Sequence, residues 1–589
     1  MAKIEHGIRP GDPSAIPNPS VVPKHLNGQN LHDEQRQPYI PHGVPRSSLS
    51  LRVALIANSP PEIFNFRIYF LGLTSALGGA TFGWDTGFIG GAVGLDGFKA
   101  RFNTGAATSN VTANVVATLQ AGCFFGSLAA APLATAFGRR IAMHILLVLF
   151  QIGTVLQLLP GGSLALMYTG RVITGLGVGG ISICNPMYIS ECAPRAIRGR
   201  MTSTVNLVIV SALTLAFFVN LIAANHLTGD VQWRVPFALP MIPAGLMQIG
   251  LLFQPESPRW LVSKDRDEEA RTVLVKIRKL PPTHPYISEE LQHVRTQLDA
   301  ERAATIGTST MGLFKEIATH VPSRRVFVVG VFLQFAQQLT GTNSINYYSP
   351  LIFKLIGFTG GTTALLATGV YGIVKVVTTL FYVVFLIDQI GRRRPLIVGA
   401  IIQALCLLIL FFISHFDPLS QGPTGGGVTS SGYASAVMIY VYAFGWSFGF
   451  SVAPWVLAAE IFPTRIRAIS FSTVIALQWG LNFMITRVTP LMINTMGIQY
   501  VFLFFALCTF TSAGIVYLII PETKGFPLEA MNALFSLGWI HTKDLRPRAL
   551  AAHKSENEAA ATEAAREDSL AEDQKSKLDE QRAERTPGI

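Results

Sequence analysis

Runs of mostly apolar residues recur along this chain, separated by short polar loops. A helix needs about 20 apolar residues to cross the hydrocarbon core of a bilayer, and a helix satisfies its own backbone polar groups there. We count about twelve such runs between Arg67 and Ile520. Because 50% of the 589 residues are hydrophobic and only 14% are charged, the chain is too apolar for a soluble protein. The sequence predicts an all-α integral membrane protein.

The net charge of +11 comes from basic residues that cluster in the short loops. This is the positive-inside pattern of membrane proteins, and no basic patch with interleaved aromatic residues suggests a nucleic-acid partner. The polar, proline-rich first 60 residues contain no signal peptide, so we expect the first apolar run to direct insertion. The cysteines lack metal-ligand spacing, so we expect packing residues, no metal and no cofactor: Cys123, Cys184, Cys192, Cys406 and Cys508.

We expect five regions. Residues 1–66 are predicted to form a disordered cytoplasmic arm, and residues 67–254 and 324–520 two six-helix bundles. Residues 255–323 are predicted to form a cytoplasmic loop with amphipathic helices, and residues 521–589 a cytoplasmic tail that is disordered or a solvated helix from about Ile540. Asn110 begins a glycosylation sequon so close to the second apolar run that we expect it to carry no glycan.

Three short motifs occur in the same order in both bundles. They are Gly138-Arg139-Arg140 and Gly391-Arg392-Arg393, then Glu191 to Arg198 and Glu460 to Arg467, then Pro255-Glu256-Ser257 and Pro521-Glu522-Thr523. Repeated halves with a binding site at their interface are typical of transporters.

The seventh apolar run, Gly330 to Pro350, carries two polar patches with i, i+3, i+4 spacing on a helical face. The patches are Gln334, Gln337 and Gln338, followed by Asn343, Asn346 and Tyr347. Gly341 between them and Pro350 at the end can both loosen the helix. The amides either bond neighbouring helices or bind a polyhydroxylated solute, whose hydroxyls need donors and acceptors.

Taken together, these motifs resemble those of the sugar porter family of the major facilitator superfamily, especially its fungal members, from about Phe66 to Glu529. The motifs are the two Gly-Arg-Arg turns, Pro255 to Leu261, Gln337 to Asn343, Pro454-Trp455 and Pro521 to Gly525. The family implies a fold of 12 transmembrane helices in two bundles that rock around a central site by alternating access. It also implies a monomeric plasma-membrane transporter with cytoplasmic termini, performing no enzymatic chemistry.

The resemblance further implies which residues bind substrate and which form a cytoplasmic gate. The implied sugar ligands are Gln337, Gln338, Asn343, Trp455, Gln478, Trp479 and Asn482. Indoles suit the apolar face of a sugar and amides its hydroxyls, although both tryptophans could instead be interfacial anchors. The gate would tie helices together in the outward-open state through Arg139, Arg140, Glu191, Arg198, Glu256, Arg392, Arg393, Glu460 and Arg467.

Asp85 lies within the first apolar run, where a carboxylate costs about 3 kcal/mol on insertion scales. It faces away from Gly79, Gly83 and Gly87, a ladder that permits close approach of another helix. Arg171 is its natural partner, and the resemblance implies that an acid at this position takes and releases the proton in proton-coupled members. We therefore expect proton symport of a monosaccharide or related acid. The alternatives are a static ion pair in a uniporter, or a nutrient sensor that does not transport.

Several positions depart from the usual sugar pattern. Asn206 replaces an expected glutamine, and Lys375 replaces an expected asparagine in the eighth run, as the resemblance to fungal quinate permeases also implies. Lys375 and Arg487 in a central cavity would suit a substrate carboxylate such as quinate or galacturonate, but either could instead extend to the membrane surface. Thr135 replaces a family acid that Asp388 keeps in the second half, so we expect a weaker gate in the first half.

Overall fold

The computed structural model describes residues 60–104, 110–159, 163–194, 197–305, 310–358, 362–386, 389–417, 428–463, 465–524, 531–540, 545–552 and 554–555. Twelve helical spans, numbered in chain order, dominate this part of the chain. They are span 1 (Phe66–Ala92), span 2 (Asn110–Phe137), span 3 (Arg139–Leu158), span 4 (Leu164–Cys192), span 5 (Arg198–His226), span 6 (Gly229–Phe253), span 7 (Val321–Leu339 and Thr342–Leu355), span 8 (Thr363–Leu386), span 9 (Arg393–Phe416), span 10 (Ser430–Ala458), span 11 (Arg467–Met496) and span 12 (Ile498–Ile519).

Ten of the spans are long and apolar enough to cross a membrane by length and composition alone. Spans 1 and 7 complete the predicted twelve. Span 1 is rich in glycine, serine and threonine and is mostly buried. Span 7 is broken at Gly341, which has a left-handed φ of 83° that favours glycine. Tyr348, two residues before Pro350, has non-helical angles. The predicted loosening at Gly341 and near Pro350 is confirmed.

The outer surface of the bundle is apolar and its interior contains polar groups, the reverse of a soluble protein. Span 6, for example, exposes Ile242, Leu246, Ile249, Leu252 and Phe253. Many amides and hydroxyls are buried inside. Such a distribution is stable only where the surrounding solvent is itself apolar.

The predicted glycine ladder is the contact between spans 1 and 5. A Cβ atom added at Gly79, Gly83 or Gly87 would collide with the backbone of span 5, at Val205, Ile209 and Leu213. Small residues let two helix backbones approach this closely. The ladder therefore fixes span 1 within the first bundle, where spans 2 and 3 pack on span 4.

Three pairs of spans form the most extensive contacts between the two bundles. Span 2 packs on span 11, span 5 packs on span 8, and span 1 packs on the second helix of span 7. In the last pair, Gly90 lies directly against the carbonyl oxygen of Tyr347. We call the end of the bundle that contains this contact the far end, and the opposite end, where the loop helices lie, the loop face.

Four helices of the loop between the bundles confirm its predicted helical character: Pro258–Ser263, Asp267–Arg278, Pro285–Thr305 and Thr310–Thr319. Arg278 is fully buried and joins the carbonyl oxygen of Cys192 (2.8 Å) to Glu290 (2.6 Å). The last helix is held to the second bundle by the ion pair of Glu316 with Arg465, at 2.8 Å.

The tail differs in part from the prediction of a disordered or solvated segment. Residues 546–552 are helical, and buried Ala549 packs with Met531–Ser536 in the apolar core of the second bundle. Arg325 of span 7 also donates to the carbonyl oxygens of Phe535 and Ser536, at 2.9 and 3.1 Å. Apolar residues within a charged segment explain the difference, because a few alanine and leucine side chains suffice to dock a short helix.

Candidate functional site

Amides from spans 7 and 11 meet where span 10 is broken. Gln337 donates to the carbonyl oxygen of Phe450 (2.7 Å), which lies in the break, and accepts from Gln478 (3.4 Å). Gln334 donates to the carbonyl oxygen of Pro454 at 3.5 Å. Within the described residues, the Oε1 atoms of Gln334 and Gln478 are buried without a hydrogen-bond partner. The amides therefore do bond helices together, and they also retain acceptors that solute hydroxyls could use.

A chain of amides on span 7 leads from Gln338 to Lys375. Asn343 donates to Gln338 (2.5 Å), and Asn346 donates to Asn343 (3.4 Å). The Oδ1 atom of Asn346 then accepts from the ammonium group of Lys375 and from the hydroxyl of Tyr371, both at 3.0 Å. Lys375 thus belongs to the same polar network as the predicted substrate ligands.

Lys375 is completely buried, which excludes the alternative that it extends to the membrane surface. Its ammonium nitrogen lies 3.8 Å from the ring centre of Trp446 and 5.2 Å from that of Tyr371. In the described part of the chain, no carboxylate forms an ion pair with it, and Asn346 is its hydrogen-bonding partner. An ammonium group has three donors, so this cage is rich in donors and has no negative charge of its own.

The two predicted tryptophans differ in environment. Trp479 is fully buried, packs edge-on against Phe82 of span 1 at 5.1 Å, and has an indole nitrogen without a partner among the described residues. Trp455 is partly buried and packs, like Phe82, against the apolar cluster that contains Trp479. Asn206 donates to Ser451 in the break of span 10 at 2.8 Å. These side chains line the junction of the two bundles, and for Trp479 burial excludes anchoring at the lipid interface.

The predicted pair of Asp85 and Arg171 is formed and is fully enclosed. The guanidinium donates to both carboxylate oxygens, at 2.6 and 3.3 Å. Arg171 also donates to the carbonyl oxygens of Val115 (3.0 Å) and Val116 (3.5 Å) on span 2. Asp85 therefore points toward span 4 and away from the glycine ladder, as predicted. A buried carboxylate with one cationic partner can exchange a proton when that partner moves.

Several residues predicted for the gate of the first bundle contact one another. Arg139 donates to both oxygens of Glu191 at 2.8 Å, and Ser257 donates to Glu191 at 2.5 Å. Glu256 accepts the backbone N–H groups of Arg139 (2.9 Å) and Arg140 (3.1 Å). Burial raises the pKa of Glu256, although these N–H groups act in the opposite direction. These contacts of Arg139 and Glu191 occur in the same structure in which Gly90 lies against Tyr347 at the far end.

In the second bundle, the backbone N–H groups of the Gly-Arg-Arg turn also donate to a glutamate, which we did not predict. Glu522 accepts the backbone N–H groups of Arg392 and Arg393, at 3.1 and 3.2 Å. A Cβ atom at Gly138 or Gly391 would collide with Glu256 or Glu522, respectively. The repeat of Pro-Glu-Ser as Pro-Glu-Thr was the available signal for Glu522.

The other residues predicted for the gate, and Thr135 beside it, lie in different environments. Arg467 is partly buried and donates to the carbonyl oxygen of Phe462 at 3.1 Å, and Arg198 is exposed at the start of span 5. The side chain of Glu460 and the whole of Asp388 lie outside the described residues. Thr135 is exposed, and its carbonyl oxygen accepts from the indole of Trp260 at 3.0 Å.

Arg487 does not lie in the central site. It reaches Asn110 at the first turn of span 2, at 3.2 Å, near the far end. Arg487 is on the final third of span 11, so its depth excludes contact with the central amides. Of the two alternatives for Arg487, the structure does not support a place beside Lys375 in a central carboxylate site.

Several residues of the network were not predicted as site residues, among them Gln120, Asn346, Tyr347, Tyr371 and Trp446. Tyr347 is buried, and its hydroxyl accepts from Asn482 at 3.4 Å. Its place in the second polar patch of span 7 was the available signal. Gln120 and Trp446 carried none, because only the folded structure brings them to the site.

Comparison with known proteins agrees with this geometry. The family description "Sugar (and other) transporter" matches residues 71–535. A "Probable quinate permease" of Aspergillus clavatus is 38% identical over 485 residues, 81% of this chain and 89% of that protein. The "Quinate permease" of Emericella nidulans is 37% identical over 482 residues, 81% of this chain and 90% of that protein.

Solved structures give the same result. The xylose transporter XylE from E. coli, in a partially occluded inward-open conformation, is similar with a TM-score of 0.65 and 27% identity, over 78% of this chain and 99% of that one. The proton:xylose symporter XylE bound to 6-bromo-6-deoxy-D-glucose has a TM-score of 0.66 and 28% identity, over 80% and 99% of the two chains. The chain belongs to the sugar transporter family of the major facilitator superfamily.

Proposed function

We propose that the protein is a proton-coupled symporter of a polyhydroxylated carboxylic acid of the quinate type. The observation that carries this proposal is Lys375, a fully buried ammonium group linked by Asn346 and Asn343 to the central amides. The names of the relatives in Aspergillus clavatus and Emericella nidulans support the same substrate class.

The chemistry of the site matches such a substrate. A carboxylate would supply the negative charge that the cage of Lys375, Trp446 and Tyr371 lacks, through a charge-assisted hydrogen bond. The hydroxyl groups would bond to the amides of Gln337, Gln478 and Asn482. The apolar face of the ring would lie against Trp479, as expected for an aromatic residue in a site for cyclic polyols.

Proton coupling is assigned to Asp85 and Arg171. Asp85 would bind the proton when Arg171 moves away and release it when the pair forms again, which links protonation to conformation. The name of the solved XylE structure, a proton:xylose symporter, supports this part of the proposal. No covalent step is involved, so no enzymatic activity or cofactor is proposed.

The cycle we propose is alternating access by a monomer in the plasma membrane, with both termini and the loop face in the cytoplasm. The basic Gly-Arg-Arg turns lie at the loop face, which is the orientation that the positive-inside rule favours. The paired charges of Arg139 with Glu191 would hold the loop face closed. The contact of Gly90 with Tyr347 would close the far end.

Uptake into yeast cells that lack their own hexose carriers tests the proposal. Labelled quinate, galacturonate, xylose and glucose are offered with and without a protonophore, to cells expressing wild type, Lys375→Asn or Lys354→Asn. Lys354 is an exposed lysine at the far end of span 7 and serves as the matched control.

We expect acid uptake that the protonophore abolishes, that Lys375→Asn reduces and that Lys354→Asn leaves unchanged. Loss of one charge-assisted hydrogen bond costs about 1.5–3 kcal/mol, or about 10- to 150-fold in the ratio of kcat to KM. Neutral sugar uptake that survives in Lys375→Asn would instead assign a pentose or hexose as substrate. Uptake that ignores the protonophore would exclude proton coupling.

A further inference from the structure

The proton pair and the substrate amides are joined by a series of hydrogen bonds that crosses between the bundles. It starts at Asp85 and Arg171, whose guanidinium reaches the carbonyl oxygen of Val116 at 3.5 Å. It ends at Asn482 on span 11, which donates to the hydroxyl of Tyr347 at 3.4 Å. One residue of span 2, Gln120, fills the interval between these two groups.

Gln120 is completely buried. Its amide nitrogen faces the carbonyl oxygens of Val116 and Ala117, at 2.7 and 2.8 Å, because in the reverse orientation its oxygen would face only acceptors. Its oxygen then accepts from the hydroxyl of Tyr347 at 2.9 Å. Gln120 and Arg171 therefore share the carbonyl oxygen of Val116. A movement of Arg171 would therefore change the hydrogen bonding of the Val116 carbonyl oxygen, to which Gln120 is also bonded.

Tyr347 connects Gln120 to the substrate site. Its hydroxyl donates to Gln120 and accepts from Asn482. Asn482 in turn accepts from Thr486 at 3.2 Å, so the position of its amide is fixed from both sides. The backbone of Tyr347 lies against Gly90 of span 1. Of these bonds, the one between Tyr347 and Gln120 joins spans of different bundles, so it depends on how spans 2 and 7 approach each other.

We propose that Gln120 and Tyr347 are positioning residues that make the placement of the substrate-binding amide of Asn482 depend on the state of the Asp85–Arg171 pair. The inference rests on the proposed proton symport and adds the route by which the two sites communicate. The bistable element is the second helix of span 7, which packs on span 1 in the closed state and leaves it when the far end opens. A proton on Asp85 releases Arg171, and the link through Val116 and Gln120 carries that change to Tyr347.

The titratable and charged groups around Asp85 come from three elements. Arg171 is on span 4, Cys123 is on span 2, and Tyr347 is on span 7. Of these, Tyr347 also contacts the substrate site, through Asn482. The route through Gln120 and Tyr347 runs from Arg171 to Asn482.

The test separates substrate movement from proton coupling. Full-length wild type, Gln120→Leu, Tyr347→Phe and Gln403→Leu are reconstituted in liposomes and given labelled quinate, or xylose if wild type takes up xylose instead. Counterflow without a pH gradient measures substrate exchange. Accumulation under an imposed gradient of one pH unit measures coupling, and can reach at most about tenfold per proton. Gln403 is the matched control, because it is a buried glutamine of span 9 with a similar bond to the helix backbone, Gly399 at 3.0 Å.

We expect Gln120→Leu and Tyr347→Phe to keep counterflow within about threefold of wild type while accumulation falls toward an equal distribution. Gln403→Leu should accumulate substrate like wild type. Full accumulation in Tyr347→Phe, which loses a single oxygen atom, would overturn the inference. Loss of counterflow in both variants would also overturn it, because the link would then belong to substrate binding itself. If wild type shows no accumulation, proton symport is the part that fails.

Discussion

Gly90 offers a direct test of how the far end closes. In this structure a Cβ atom at position 90 would collide with the carbonyl oxygen of Tyr347. The obstacle is backbone, so no side-chain rotation can relieve it. Gly90→Ala should therefore oppose the contact between spans 1 and 7. It replaces none of the amides of spans 7 and 11 and neither member of the Asp85–Arg171 pair.

The size of the effect follows from the packing. Overpacking a close contact costs about 1–3 kcal/mol, which corresponds to about a 5- to 150-fold shift of the equilibrium away from the closed far end. Each transport cycle requires that closure, so the uptake rate should fall by a similar factor. Gly245→Ala is the control, because a Cβ atom at Gly245 meets nothing within 4 Å.

Two assays check this prediction. Uptake and counterflow report the lost closure, and amide hydrogen exchange reports the second helix of span 7, which should exchange faster in Gly90→Ala than in wild type. An uptake rate and an exchange pattern equal to those of wild type and Gly245→Ala would refute the reasoning, since closure would then not need the approach of Gly90 to Tyr347.

Three further predictions concern buried charges, and each is checked on protein in detergent. Asp85→Asn leaves the buried Arg171 without a counter-charge, so thermal unfolding should show a loss of about 3–5 kcal/mol, partly recovered in the double variant with Arg171→Met; an unchanged melting temperature would contradict this. Burial raises the pKa of Glu256, so the folded protein holds that proton more tightly than the unfolded chain, and stability should fall as pH rises from the ordinary glutamate range toward neutral. Glu256→Gln should flatten this pH dependence of the melting temperature, and an unaltered slope would exclude Glu256 as its source. Arg278→Met leaves Glu290 without its buried partner and should increase proteolysis of the loop helices by about tenfold, whereas wild-type resistance would show that other contacts hold the loop.

The hydropathy pattern predicted the membrane class and the number of spans, because about 20 apolar residues in a row have one stable environment. Spans 1 and 7 were counted among the apolar runs, although they do not pass the test of length and composition that the other ten spans pass. Their polar residues face protein, which a hydropathy average does not reveal. The repeat of the Gly-Arg-Arg turns corresponds to a repeated local structure, because Glu256 and Glu522 accept the backbone N–H groups of the two turns in the same way.

The details of the site depended on contacts that sequence spacing does not contain. Lys375 was singled out by its chemistry, but its cage needed Trp446 and Asn346, which only the folded bundle brings together. Gln337 bonds to the carbonyl oxygen of Phe450 because span 10 is broken there, and that break has only weak glycine and proline signals. The sequence left the place of Arg487 open, and its contact with Asn110 of span 2 depends on how the two bundles pack.

The docking of the loop helices sets a mechanical limit on the cycle. Pro285–Thr305 belongs to a group tied to the first bundle, and Thr310–Thr319 is tied to the second through Glu316 and Arg465. The chain between Thr305 and Thr310 can extend to at most about 18 Å. While both helices stay docked, the separation between Thr305 and Thr310 cannot exceed this length. This limits how far the two bundles can separate at the loop face. Lengthening this connection would change how far the bundles can separate at the loop face, without altering any residue of the proposed substrate or proton sites.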